Sequence, residues 1–175
     1  MKNLQTLVLM AGLPGAGKTT LAYALARELQ WQVVDKDKCR EVLLQENFDL
    51  DTASRIAYEI SFTSVKTILT QQHTSVILDT AALHRFVLDK AIKIAELAQA
   101  QLKVIFCVAD RDLRNSRLRN RNGQPTRIQV DPATLADYLR YFEHLPSDKL
   151  TIYTSAPFEE YLHEAKEYIL QACHY

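Results

Sequence analysis

Residues 12–19 read Gly-Leu-Pro-Gly-Ala-Gly-Lys-Thr, and together with their flanks they constrain the chain more than any other feature. Before them stands Leu7-Val8-Leu9-Met10-Ala11, an unbroken apolar run of the kind required by a strand covered on both faces. After them Leu21, Ala22, Leu25 and Leu29 recur at helical spacing. A strand, the pattern GxxxxGK[ST] and a helix in that order make a cradle for an anion. Backbone N–H groups can surround phosphate oxygens only where side chains are missing and the chain takes left-handed dihedrals, both of which glycine permits. The helix start adds unpaired N–H groups and the positive end of its dipole. The nucleotide-binding candidates are therefore Gly12, Leu13, Pro14, Gly15, Ala16, Gly17, Lys18, Thr19 and Thr20. Lys18 is expected to reach the β- and γ-phosphates and the Thr19 hydroxyl to ligate Mg²⁺.

Glycine is otherwise almost absent. The 175 residues contain 4 glycines, where ordinary usage of roughly 7% would give about 12. Gly12, Gly15 and Gly17 fall in the cradle, and Gly123 stands alone. The fold is expected to manage its helices, strands and most turns without glycine, leaving the three in the cradle to serve phosphates; Gly123, in the turn just after Arg121, reads as a hinge for a lid or as a plain Asn-Gly turn.

Lys+Arg and Asp+Glu number 21 each, so the chain lacks the basic excess that gripping a nucleic-acid backbone usually demands. Nucleic acid is thus an improbable partner, although a local basic groove stays open. Cys39, Cys107 and Cys173 are far apart and show no CxxC spacing, which reads as reduced thiols of a cytoplasmic protein. No stretch approaches the roughly 20 apolar residues of a membrane span. These features fit one cytoplasmic domain over residues 1–175.

Strand-like and helix-like segments alternate to the end of the chain. Strands are expected at Leu7–Ala11, Trp31–Val34, Val76–Leu78, Val104–Ala109 and Leu150–Thr154. Helices are expected from Thr19 to Leu29, from Asp37 as N-cap to about Gln45, and from Asp51 or Thr52 to about His73. Three more cover residues 84–100, the stretch after Asp131 with Pro132 at the first helical position, and residues 158–172. Such alternation implies an α/β domain with a mainly parallel sheet, whose ligands sit at the carboxyl ends of the strands.

Three strand ends carry further candidates. Asp35-Lys36-Asp37-Lys38-Cys39-Arg40 follows the second strand, and Asp37 and Arg40 share a face if a helix begins there. Asp37 reads as a general base with Arg40 holding an anionic part of an acceptor, or else as a helix cap beside a solvated arginine. Asp35 is a second candidate for metal or acceptor. Asp79 ends the apolar strand Val76-Ile77-Leu78 in the Walker B manner and reads as orienting Mg²⁺ through Thr19 or water, or else as a cap of the strand-to-helix turn. Neither DxxG after Asp79 nor NKxD occurs, which argues against a GTPase switch. Residues 111–127 hold Arg111, Arg114, Arg117, Arg119, Arg121 and Arg127 against the single acid Asp112. Arg114, Arg117 and Arg121 follow i, i+3, i+7 spacing and are expected to form one basic edge. That edge is read as a mobile phosphate lid at about 111–130, with a solvated face and a nucleic-acid contact as alternatives.

The pattern as a whole resembles the small P-loop kinases of the zeta-toxin, chloramphenicol phosphotransferase and polynucleotide 5′-hydroxyl kinase group. Gly12–Thr19 carries the likeness most specifically. Asp37-Lys38-Cys39-Arg40 is similar to the family's Asp-x-x-Arg, a base and an acceptor-binding arginine, and Val76–Thr80 to its apolar strand ending in Asp-Thr. Arg117 and Arg121 match a lid of two arginines four apart. Tyr141-Phe142-Glu143 and Thr154-Ser155-Ala156-Pro157 resemble its C-terminal stretches. Ala81-Ala82 departs from a family in which Asn often follows the Asp-Thr. The resemblance implies a three-layer α/β/α fold with a five-stranded parallel sheet of order 2-3-1-4-5. It also implies ATP and Mg²⁺ as cofactors.

The expected activity is transfer of the γ-phosphoryl group to a hydroxyl of a small molecule. Lys18, Asp37, Arg117 and Arg121 are the catalytic candidates, Asp35, Asp37 and Arg40 the acceptor-binding ones, and Thr19 and Asp79 the metal ligands. The rivals are an ATP-binding regulatory module that hydrolyses slowly and a kinase of polynucleotide 5′-hydroxyl ends.

Overall fold

The computed structural model describes residues 4–120 and 132–171, so Arg121, Gly123 and Arg127 lie outside the described residues. Strand β1 (Thr6–Ala11) is buried along its whole length. Because successive side chains of a strand point to opposite faces, its apolar run feeds two cores. Leu7, Leu9 and Ala11 join one core; Val8 and Met10 join the other.

Parallel pairing on both sides of β1 sets the sheet. Strand β2 (Gln32–Asp35) pairs with β3 (Val76–Asp79), β3 and β4 (Gln101–Val108) flank β1, and β5 (Leu150–Tyr153) pairs with β4. The order is β2-β3-β1-β4-β5, as the resemblance implies. Helices α3 (Leu50–Thr67) and α4 (Arg85–Ala98) cover one face through Phe62, Val65, Val87 and Ala91. Helices α1 (Lys18–Leu29) and α7 (Phe158–Leu170) cover the other through Leu21, Leu25, Leu162 and Ile169. The result is the three-layer P-loop architecture, with α2 (Lys36–Gln45), α5 (Arg111–Arg119) and α6 (Leu135–Arg140) beside the carboxyl ends of the strands. Among the described residues no helix is long and apolar enough to cross a membrane.

Several helix starts differ from the sequence expectation. The cap of α2 is Asp35, not Asp37: its carboxylate accepts from the N–H groups of Asp37 and Lys38 at 3.0 and 3.1 Å. Strand β2 runs one residue further than expected, so Asp35 holds the extended dihedrals that a cap needs, while Asp37 already sits in the first turn. Asp49 caps α3 in the same manner, and that helix closes in a π-helical turn over Ile68–Gln72. Thr134 caps α6 and leaves Pro132 ahead of the helix rather than at its first position.

The scarcity of glycine shows at the helix ends. Gln30, His73 and Gln99 take left-handed dihedrals (φ 57, 52 and 51°) at the ends of α1, the π-turn and α4, positions that glycine usually fills.

Candidate functional site

The loop between β1 and α1 is fastened from several sides. Leu13 is buried in one core and Ala16 in the other, so side chains as well as backbone anchor it. Gly12 has φ 135°, and a Cβ there would stand 2.3 Å from the carbonyl oxygen of Cys107. Gly15 has φ 80°, and a Cβ there would stand 2.7 Å from the carbonyl oxygen of Arg114. These two glycines are therefore required by the close approach of β4 and α5, independently of any phosphate. The Gly12 N–H donates to Ala81 O at 3.0 Å. Leu13 N–H donates to the Tyr138 hydroxyl at 2.9 Å, which in turn donates to Cys107 O at 2.9 Å. Lys18 Nζ donates back to Leu13 O at 3.1 Å.

Behind the loop, Thr154 and Arg117 form a clamp. Thr154 Oγ1 donates to Ala16 O at 3.0 Å and accepts from Arg117 Nη1 at 2.8 Å. Arg117 also donates to Gly15 O at 3.2 Å and to Thr154 O at 2.9 Å. Arg117 is thus fixed to the loop rather than carried on a mobile segment. Arg114 is 2% exposed, with its guanidinium carbon 5.4 Å from the Tyr138 ring centre. Arg114 does not join the expected basic edge, because it is buried against Tyr138. Arg119 is exposed, and Arg121 falls outside the described residues.

The carboxylates gather at the ends of β2 and β3, where Asp35 and Asp79 are register partners. Asp79 is buried, and its Oδ1 has no partner among the described residues. Burial pushes its carboxyl up to about 6, and Asp35 and Asp37 add to the push against Lys18 and the hydrogen-bonding Thr19 hydroxyl. Asp35 is committed to its cap, and its second oxygen takes a 3.4 Å contact from the Tyr23 hydroxyl.

Asp37 projects outward, 63% exposed at its side chain, between Lys36 Nζ at 2.9 Å and Arg40 Nη2 at 3.3 Å. Its carboxyl lies below the ordinary value: burial of its inner side opposes ionisation, but Lys36, Arg40 and Lys18 outweigh it. Lys36 and Arg40 are both nine-tenths buried at their side chains. Sequence reasoning brought Asp37 and Arg40 together through helical spacing. It missed the pairing of Lys36 with Asp37 and with the Tyr58 ring on α3, and the contacts of Tyr138 and Thr154 with the phosphate loop, whose partners lie on distant elements.

The donor set fits a metal shared with phosphates. Among the described residues no group of three or more His, Cys, Asp and Glu could hold a metal ion alone. Mg²⁺ is commonly held by one or two protein oxygens with waters and substrate phosphates, and Asp79 with Thr19 offers that pair. The orphaned Asp79 Oδ1 is the atom such an ion would satisfy.

A cavity of about 370 Å³ opens where β4 and β5 end, between Asp110, Arg114, Leu135, Tyr138 and Tyr153. It adjoins the loop through Tyr138 and Arg114.

Comparison with known proteins gives the same architecture. A candidate kinase from Chloroflexus aurantiacus superposes with a TM-score of 0.72 at 23% identity, over 97% of this chain and 100% of that one. The Mycobacterium tuberculosis APS kinase CysC, in complex with AMPPNP and APS, gives 0.66 at 19% identity over 96% and 99%. A gluconokinase from Sinorhizobium meliloti gives 0.59 at 18% identity over 94% and 91%. No curated protein matches the sequence. The family described as an AAA domain matches residues 7–145. With that match over most of its length, and with the loop, strand order and strand-end carboxylates described above, the chain belongs to the AAA domain family and shares the fold of the P-loop kinases.

Proposed function

We propose that the protein is an ATP-dependent phosphotransferase acting on a hydroxyl of a small molecule. One observation carries the reading: Lys18 of the phosphate loop and Asp79 at the end of β3 both interact electrostatically with Asp37, which is paired with two buried cations, Lys36 and Arg40. A protein that only binds or slowly hydrolyses ATP has no need of the second group. The kinases among its structural neighbours support the reading, including one whose structure holds both a nucleotide and APS.

Each residue has a part. The loop N–H groups and Lys18 bind the phosphates; Thr19 and Asp79 would hold Mg²⁺, which would neutralise phosphate charge. Asp37 accepts a hydrogen bond from the acceptor hydroxyl and aims its oxygen at the γ-phosphorus. A bond forms from that oxygen to phosphorus, the bond from phosphorus to the β–γ bridging oxygen breaks, and the hydroxyl proton passes to the Asp37 carboxylate. Since Lys36 and Arg40 stabilise its charged form, Asp37 is a weak base whose main work is orientation, which suits a loose transition state. Arg117 keeps the loop in shape, and Arg121, which lies outside the described residues, is proposed to neutralise charge on the transferring phosphoryl group. The cavity at the ends of β4 and β5 is proposed to take the nucleoside end of ATP.

The test is incubation with Mg-ATP and a panel of hydroxyl compounds, followed by ³¹P NMR. Formation of ADP with a new phosphate ester, lost in Asp37→Asn while ATP binding persists, is expected. ADP and inorganic phosphate alone, with every acceptor, would make the protein a slow ATPase.

A further inference from the structure

The metal pair is divided between two loops: Thr19 stands just after the phosphate loop, and Asp79 just before the turn from β3 to α4. The phosphate loop donates its Gly12 N–H to Ala81 O at 3.0 Å and its Leu13 N–H to the Tyr138 hydroxyl at 2.9 Å. In the turn, Ala82 O lies 3.0 Å from His144 Nε2. A carbonyl oxygen only accepts, so Nε2 carries the proton and donates.

Tyr138 and His144 are the two ends of one short stack of rings. Tyr138 stacks on Phe142 at 5.7 Å and 29°, and Phe142 on His144 at 6.3 Å and 26°. Phe142 is buried and packs on Phe106 of β4 at 4.7 Å. Core packing accounts for Phe142, but not for the destinations of the polar ends. One end is bonded to the phosphate loop and the other to the turn after Asp79, while Gly12 and Ala81 join the two loops directly.

The turn needs such a hold. Ala82 takes a left-handed φ of 48° without being glycine, and it is fully buried. The other described non-glycine residues with left-handed φ, Gln30, Asn47, His73 and Gln99, are all exposed. Strain of this kind persists only where the surroundings dictate the conformation. Around Ala82 they include the His144 donor and, through Ala81, the phosphate loop.

We infer that Tyr138 and His144 are positioning residues that brace the phosphate loop against the turn after β3, and so set the spacing of Thr19 and Asp79 for Mg²⁺. Mg²⁺ demands near-ideal octahedral geometry, so its affinity responds to small displacements of its ligands. This rests on the Thr19–Asp79 part of the reading above and is independent of the acceptor.

The experiment measures ATP binding to the full chain by calorimetry, once with Mg²⁺ and once with EDTA, and takes the ratio of the two affinities. His144→Phe keeps a ring on Phe142 and removes the donor, whereas His144→Gln returns an amide N–H without the ring. Tyr138→Phe removes the link to Leu13. The gain from Mg²⁺ is expected to fall about tenfold in His144→Phe and in Tyr138→Phe, with metal-free ATP affinity little changed. His144→Gln should recover most of the gain. The double Phe variant should lose no more than the worse single variant, because both substitutions release the same brace.

Each ratio compares two titrations of one variant, so a loss of folded protein cancels. Equal losses with and without Mg²⁺, additive losses in the double variant, or a wild-type gain in His144→Phe would overturn the brace and leave the rings as core packing. A wild-type protein whose ATP affinity is indifferent to Mg²⁺ would overturn the Thr19–Asp79 reading and the brace together. No acceptor enters the measurement, so the kinase can fail while the brace holds.

Discussion

Arg117 and Thr154 hold the phosphate loop from behind: the arginine reaches Thr154 Oγ1 at 2.8 Å and Thr154 O at 2.9 Å while also donating to Gly15 O. The threonine hydroxyl simultaneously donates to Ala16 O at 3.0 Å. Thr154→Val keeps the shape of the side chain and removes this hub, leaving a buried carbonyl and part of a guanidinium unmatched. It should lower stability by about 1–3 kcal/mol, read as a shift in the urea midpoint. ATP affinity should fall with it, because the loop loses its rear support. An unchanged midpoint would mean that the clamp is incidental.

Arg117→Lys tests the same hub from the other side. An ammonium cannot reproduce a planar fork that serves Gly15 O and Thr154 together. The variant should lose nucleotide affinity and stability in parallel. An arginine acting only on transferring phosphate would instead lower kcat and leave the melting temperature alone.

The loop itself and the strand-end carboxylates were legible because their chemistry is local. Gly12–Thr19 is contiguous, Asp79 directly follows its apolar strand, and Asp37 and Arg40 are one helical turn apart. Thr154 and Tyr138 were not, since their loop partners lie 138 and 125 residues away in sequence. Lys36 reads as an ordinary surface lysine until α3 brings Tyr58 against it. The choice between Asp35 and Asp37 as cap turned on where β2 stops, a boundary set by pairing with β3 rather than by local propensity. Glycine scarcity suggested that the cradle glycines serve phosphates alone. The carbonyls of Cys107 and Arg114 show that packing requires Gly12 and Gly15 as well.

Gly12→Ala and Gly15→Ala should accordingly destabilise the protein even without nucleotide. A left-handed φ at a residue with a side chain costs on the order of 1–3 kcal/mol, and the clash with backbone adds to it. Gly12, at 2.3 Å, should suffer more than Gly15 at 2.7 Å, and Gly17, whose Cβ would meet atoms no nearer than 3.4 Å, should suffer least. Thermal melts of the three ligand-free variants give the ranking; three equal melting temperatures would contradict it.

The αL helix ends predict a change of opposite sign. Gln30 and Gln99 are exposed and hold φ of 57 and 51° without glycine. Gln30→Gly and Gln99→Gly relieve that strain at sites with no packing to lose, and each should raise stability by about 0.5–1 kcal/mol. Because the two sites are separate, the double variant should be close to additive. A fall in the denaturation midpoint would show that the glutamine side chains contribute more than the backbone strain takes away.

Asp79 yields a pH dependence with a definite sign. Its carboxyl is raised to about 6 in the folded protein, chiefly by burial, from an ordinary 3.8. The folded state therefore binds the proton more tightly, and stability from this group is complete below about pH 4 and lost as pH rises through about 6. Above that the ionised carboxylate costs on the order of 3 kcal/mol. Asp79→Asn should raise the ligand-free melting temperature at pH 7.5 and give little change at pH 4. The same substitution should abolish the extra stabilisation that Mg²⁺ adds to ATP, since the orphaned Oδ1 is the proposed ligand atom. Melts at both pH values, with ATP alone and with Mg-ATP, separate the two effects. Destabilisation at pH 7.5 would mean that the Asp79 charge is compensated within the protein, and undiminished Mg²⁺ stabilisation would place the metal elsewhere.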